Sequence, residues 1–191
     1  AKDTPPPPSR CSSLAAGKLV RDRAGALRMP KLPRVPSPFG IADPLLIYNY
    51  GPAFDYDDMS GLIATMPPAI AGSIPALVPQ VDADGNEIAG ARSINMAVPL
   101  GTYLSWNSYA QGPYAGQICS FNGSFIPFAK PRAERIAASD PRPSIAERYP
   151  TKRAYVEAVR DAVVRAIGDR LLLDEDGVAL LRQADDPVPT P

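Results

Sequence analysis

The spacing of apolar and polar positions is clearest in the last third of the chain. From Thr151 to Asp169, Tyr155, Val156, Val159, Val163 and Ile167 recur at helical spacing on one face. Arg153, Glu157, Arg160, Asp161 and Arg165 take the other, with Asp161 and Arg165 four apart as a candidate ion pair. The pattern predicts an amphipathic helix. Before it, Pro131 to Ser139 suits a short helix with proline in its first turn. Ser144, with Glu147 three residues on, predicts a capping box. Asp174 is placed to cap a final helix through Arg182, and the acidic, proline-rich tail after it is expected to fray.

Strand signals lie earlier. Leu19-Val20 follows an Ala16-Gly17 turn, and Leu45-Leu46-Ile47-Tyr48 is an apolar run that stops at Gly51-Pro52. Apolar runs flank the stretch from Asp82 to Glu87, which predicts a hairpin. Asp84-Gly85 is the natural pair for the left-handed positions of a tight primed turn. The same stretch looks like the opening of a calcium loop, but the twelfth position from Asp82 is Ser93, where such a loop needs a bidentate Glu. The turn is preferred, and no metal site is assigned.

Proline changes the picture. With 24 prolines, the chain cannot be mostly helix or central strand, because each fixes φ and removes a donor. Residues 1–45, with the run Pro5 to Pro8, read as an extended leader or linker. Residues 46–130 read as strands and loops, residues 131–184 as helical, and residues 185–191 as a frayed tail. As an isolated piece the fold class is α+β, with long extended stretches expected to lie against a surface that organises them.

Charge excludes partners more than it suggests them. Lys plus Arg is 20 and Asp plus Glu is 20, with no basic run, so nothing marks a nucleic-acid or anionic-lipid surface. No apolar run is long enough to span a membrane. The chain opens Ala1-Lys2-Asp3-Thr4, without an initiating Met or a signal peptide, as expected for a trimmed chain or the downstream part of a precursor. Cys11 and Cys119 are the two cysteines. They form either one disulfide, closing a loop of roughly 100 residues for about 4–5 kcal/mol in the chain-entropy model, or two unrelated buried thiols.

The search for chemistry ends quickly. The chain has no histidine, the usual general base of a Ser or Cys mechanism. It has no G-x-S-x-G, no phosphate-binding glycine loop and no S-x-x-K pattern, and Ala1 is no N-terminal nucleophile. Asp55, Asp57 and Asp58 crowd Tyr56, but a solvated acidic loop explains them better than a glycosidase pair. No cofactor is implied. Between residues 98 and 130 aromatic and amide side chains mix, as they do in pocket linings and equally in packing seams.

Taken in order, the strings PPPPSR, LVPQVDADGNEIAGAR, AVPLGTYLSWN, GSFIPFAKPRAER and SDPRPSIAERYPTKRAYVEAVRDAV fall between Pro5 and Val163, within a likeness that spans roughly residues 5–184. They resemble the C-terminal part of a bacterial family of alpha/beta hydrolase domain-containing proteins, large and often exported esterases. The resemblance implies an α/β fold for the whole, with the serine and histidine upstream of this segment. Since the triad runs Ser, acid, His in that fold, the acid is implied upstream too. No catalytic residue is carried onto this chain.

What the resemblance leaves here is pocket wall and closure of the fold. Tyr103, Trp106, Asn107, Ser124 and Phe128 stand in the most recognisable strings and are the candidates to line a substrate site, against the alternative that they pack the tail onto the hydrolase core. The family has an aromatic at the place of Cys11 and no cysteine at the place of Cys119. Those two departures favour the disulfide, and with it an exported location. The expected partners are the upstream catalytic half and a small ester substrate. The rival expectation is a non-enzymatic secreted structural or binding module, stapled by one disulfide.

Overall fold

A computed structural model describes residues 8–21, 29–33, 35 and 44–186. The described residues form two compact units: one from residues 8–19, 29–33, 35 and 79–186, the other from 20–21 and 44–78. Strand β1 (Leu19–Arg21) pairs with β6 (Leu77–Pro79).

The smaller unit is a ribbon with an aromatic cap. Strand β2 (Leu45–Asn49) pairs antiparallel with β5 (Ala69–Ile74) through a bulge between Ile47 and Tyr48. A short ladder joins β3 (Phe54–Asp55) to β4 (Ser60–Gly61). The Tyr50 ring packs 4.5 Å from that of Phe54 and 5.9 Å from that of Tyr56, and the Tyr50 N–H donates to the Tyr56 hydroxyl at 2.9 Å. All five residues of β2 are exposed, so side chains on both faces of the ribbon meet solvent.

The larger unit holds the core. Helix α1 (Arg10–Ala15) is capped by Ser9, whose hydroxyl accepts from the Ser12 N–H at 3.1 Å. One long interrupted hairpin follows the short helix α2 (Ile94–Ala97). Strand β7 (Gly101–Leu104) pairs with β10 (Ser124–Pro127), and β8 (Asn107–Ser108) with β9 (Ile118–Ser120), both antiparallel. Helices α3 (Arg132–Ala137) and α4 (Ile145–Arg148) lead to the pair α5 (Lys152–Gly168) and α6 (Asp174–Asp185). Ile94 and Val98 pack against Val159, Ala162 and Val163 of α5 and Ala184 of α6. Gly177 lets the two long helices approach: a Cβ there would lie 2.9 Å from Ile167 Cδ1 and from Val163 Cγ1.

These are mixed helices and short antiparallel ribbons, in keeping with an α+β piece. The predicted long helix is α5, capped by the Thr151 hydroxyl, which accepts from the Ala154 N–H at 3.1 Å. Its i,i+4 ion pair is Arg153–Glu157 at 2.8 Å, not Asp161–Arg165. Both spacings permit a bridge, and rotamer choice on a solvated face decides between them. Pro131 sits at the N-cap of α3 rather than inside its first turn. Leu173 occupies the N-cap of α6, so Asp174 stands with Glu175 and Asp176 in the first turn, where their charge favours the positive end of the helix dipole.

Two further expectations change. The hairpin after Val81 is closed by an Asp82 N–H to Asn86 carbonyl bond of 2.9 Å and a Gly85 N–H to Asp82 carbonyl bond of 3.0 Å. That is a three-residue loop with a bulge rather than a two-residue primed turn, so Gly85 (φ +82°) has positive φ and Asp84 does not. Cys11, on α1, and Cys119, in β9, are free and exposed, so the expected disulfide is not formed. Each thiol faces solvent from its own element, neither buried nor cross-linked. The polyproline run falls largely outside the described residues, as do 187–191 of the tail; residues 29–33 and 35 carry neither helix nor strand.

The capping box is present. Ser144 N–H and hydroxyl both donate to Glu147, at 2.8 and 2.9 Å, and Glu147 also takes the Arg135 guanidinium at 2.8 Å. The Arg135 hydrogen bond, then the Ser144 N–H, lower the Glu147 pKa from 4.5 to about 2. A carboxylate depressed in the folded state stabilises it above its unfolded pKa and loses that contribution as pH falls through the folded value. The urea midpoint of the chain is therefore expected to fall between pH 4.5 and about 2, and to fall less steeply in Glu147→Gln. Parallel acid profiles for the two proteins are the opposing result.

Candidate functional site

The loop from Asp82 to Asn86 is built to dock rather than to wave. The Asp82 carboxylate accepts from the Asp84 and Asn86 N–H groups, both at 3.0 Å, and pairs with Arg92 at 2.7 Å. Asn86, fully buried, donates to the Gly101 carbonyl at 3.1 Å and accepts from the Tyr103 N–H at 2.8 Å. One amide therefore fixes the loop to β7 and sets where Tyr103 begins. The Thr102 hydroxyl donates to the Asp84 carbonyl, and Arg148 pairs with the Asp84 carboxylate.

Behind this lies a buried charge. Arg142 is 2 % exposed and pairs with Asp140 at 2.6 Å, its Nε also donating to the same carboxylate at 2.9 Å. Its Nη1 donates to the Thr102 hydroxyl at 2.8 Å and the Ile126 carbonyl at 3.0 Å, and its Nη2 to the Pro127 carbonyl at 3.3 Å. Burial works to raise the Asp140 pKa, but the Arg142 side-chain and backbone hydrogen bonds and its charge outweigh burial and hold the carboxyl below the usual range. Arg142 and Arg148 both lie over the Phe128 ring, at 5.1 and 4.3 Å from its centre. The pair β7–β10 is thus held by a saturated, oriented polar network.

On the helical side of β7 opens a cavity of about 260 Å³. Ile94, Val98, Leu100, Phe125, Val159, Leu180 and Ala184 form its apolar wall, Tyr103 and Tyr155 its phenols, and Asn95 and Gln183 its exposed amides. None of these residues carries a formal charge. Tyr103 stacks on Phe125 with ring centres 4.9 Å apart, and Tyr155 meets Tyr149 edge-on at 5.1 Å. Burial raises the pKa of both Tyr103 and Tyr155, so both phenols stay protonated at neutral pH. Tyr149, whose hydroxyl donates to the Pro99 carbonyl at 3.0 Å, is pushed by burial up to about 12.

The five sequence candidates divide. Tyr103 lines the cavity. Trp106 is buried, and its carbonyl accepts from the Ser124 hydroxyl at 2.8 Å. The Asn107 amide donates to the Gly123 carbonyl at 2.7 Å, tying the two halves of the interrupted hairpin together. Phe128 is buried beneath the two arginines. Sequence reasoning passed over Tyr155, Leu180 and Gln183, because a helical stripe reads as core. It also passed over Arg142, whose one visible signal is the string Asp140-Pro141-Arg142-Pro143, with a rigid proline on each side of the arginine.

Compared with known proteins, the chain matches the family described as "Alpha/beta hydrolase domain" over residues 1–182. It belongs to that family. No curated protein and no solved structure matches it. Within this alpha/beta hydrolase chain, the described ribbons β2–β5, β3–β4, β7–β10 and β8–β9 are all antiparallel, and no histidine is present to act as a triad base.

Proposed function

We propose that this chain is the non-catalytic C-terminal portion of a serine-dependent carboxylic ester hydrolase, where it completes the fold and walls the substrate pocket. The observation that carries the reading is the family match over residues 1–182 in a chain without histidine. Acyl transfer by a Ser-His-acid triad needs that imidazole as base and then as acid, so the machinery belongs to a catalytic portion upstream. The cavity beside Tyr103 supports the pocket role: it is uncharged, apolar and fringed with amides and phenols, as an ester site requires.

The ribbon β2–β5 is the surface that the catalytic portion covers in this reading. Leu45, Ile70 and Met66 are 67 %, 61 % and 79 % exposed, and the charged residues between 44 and 78 are Asp55, Asp57 and Asp58. A two-sided apolar ribbon with free edges invites a partner, and three acids without a base argue against an anionic lipid surface. Leu45→Asp combined with Ile70→Asp is expected to leave the chain's own unfolding midpoint unchanged and to weaken its association with the catalytic portion at least tenfold. Undiminished association in a pull-down or titration overturns this placement.

A further inference from the structure

We propose that the 260 Å³ cavity between β7, β10, α5 and α6 is a binding site for the uncharged, apolar end of an ester, a single aromatic ring or short acyl chain with its carbonyl at the phenols. The word ester rests on the hydrolase reading above; selection for an uncharged apolar group rests on the cavity alone.

Size sets the first limit. A dry cavity of roughly 150 Å³ accepts benzene, so this one has room for a ring and a few further atoms. Charge sets the second. No lining residue carries a formal charge, so a carboxylate or ammonium entering it loses water without gaining a counter-ion. Polarity sets the third. Among the described residues neither the Tyr103 nor the Tyr155 hydroxyl has a hydrogen-bond partner, and both are half-buried. By contrast Tyr149, at the C-terminal end of α4, spends its hydroxyl on the Pro99 carbonyl. Two unspent neutral donors beside an apolar wall match an ester or ketone oxygen joined to a hydrocarbon group. The wall is also held in place: β7 is fixed by Asn86 and Arg142, and β10 by Arg142. The site therefore does not have to be ordered by its ligand.

The test is a titration of the whole 191-residue chain with three probes of one size: benzyl acetate, benzoate and benzylamine. Benzyl acetate is expected to bind saturably, with dissociation constants on the order of millimolar for so small a ligand, and both charged probes at least tenfold more weakly. Leu180→Trp, which fills the cavity from its half-buried wall, is expected to abolish binding. Tyr155→Phe keeps the shape, removes one donor and is expected to weaken binding about three- to tenfold; it decides the matter if Leu180→Trp does not fold. Equal affinity for charged and neutral probes, or a Tyr155→Phe chain that binds as well as the parent, overturns the proposal. A chain that binds benzyl acetate selectively, while its catalytic partner shows no reactive serine, keeps the pocket and sinks the hydrolase role. The reverse pair of results does the opposite.

Discussion

Replacing Arg142 with methionine is expected to lower stability by about 3–5 kcal/mol, the usual cost of removing one partner from a buried ion pair. Methionine restores the volume of the stem, so the loss is electrostatic. Asp140, 6 % exposed, would be left as an uncompensated carboxylate, while the Ile126 and Pro127 carbonyls and the Thr102 hydroxyl each lose a donor. Asp140→Leu in the same chain is expected to recover only part of the loss, since it removes the stranded charge but returns no donor to those oxygens. Urea unfolding of the three proteins checks this. A cost under about 1 kcal/mol for Arg142→Met alone would be typical of an exposed pair and would rule out the network as the clamp on β7–β10.

Phe128→Ala is expected to cost a similar amount, about 3–5 kcal/mol, as for other buried phenylalanines. The ring is 4 % exposed and forms the plate on which Arg142 and Arg148 rest. Removing it leaves a cavity beneath two guanidinium groups and forfeits both cation–π contacts. The variant also separates two roles for the string that contains it. Phe128 lies away from the cavity lining, so benzyl acetate affinity per folded molecule should hold while the unfolding midpoint drops. A folded Phe128→Ala chain with its midpoint intact and its affinity lost would place this residue at the ligand instead.

What the sequence makes legible here is local. The Thr151 cap and the apolar stripe of α5, the Ser144–Glu147 box and the Leu19 and Leu45 strands depend on neighbours within a few positions, and each is found. The likeness carried by long ordered strings such as AVPLGTYLSWN is likewise readable without a structure, and the family match agrees with it. The hairpin loop is half legible: Gly85 takes the left-handed position, but the Asp82 carboxylate, by capturing two N–H groups, selects the wider loop. The departures are tertiary. Nothing in Asp-Pro-Arg-Pro says that its arginine is buried forty residues away from the Thr102 hydroxyl it binds. The disulfide favoured by the two departures to cysteine is not formed, and both thiols are free. Tyr155 belongs to the stripe that packs the core, and only the placement of α2 and α6 leaves it on a cavity wall.

In the proposed reading these residues serve a hydrolase whose nucleophile lies elsewhere. That reading is tested most directly by treating the native material with a fluorophosphonate serine-hydrolase probe, digesting it and locating the labelled peptide by mass. The label is predicted on a serine outside these 191 residues, in an upstream portion that accompanies them. A label on one of this chain's own serines, or native material that takes no label at all, would contradict it.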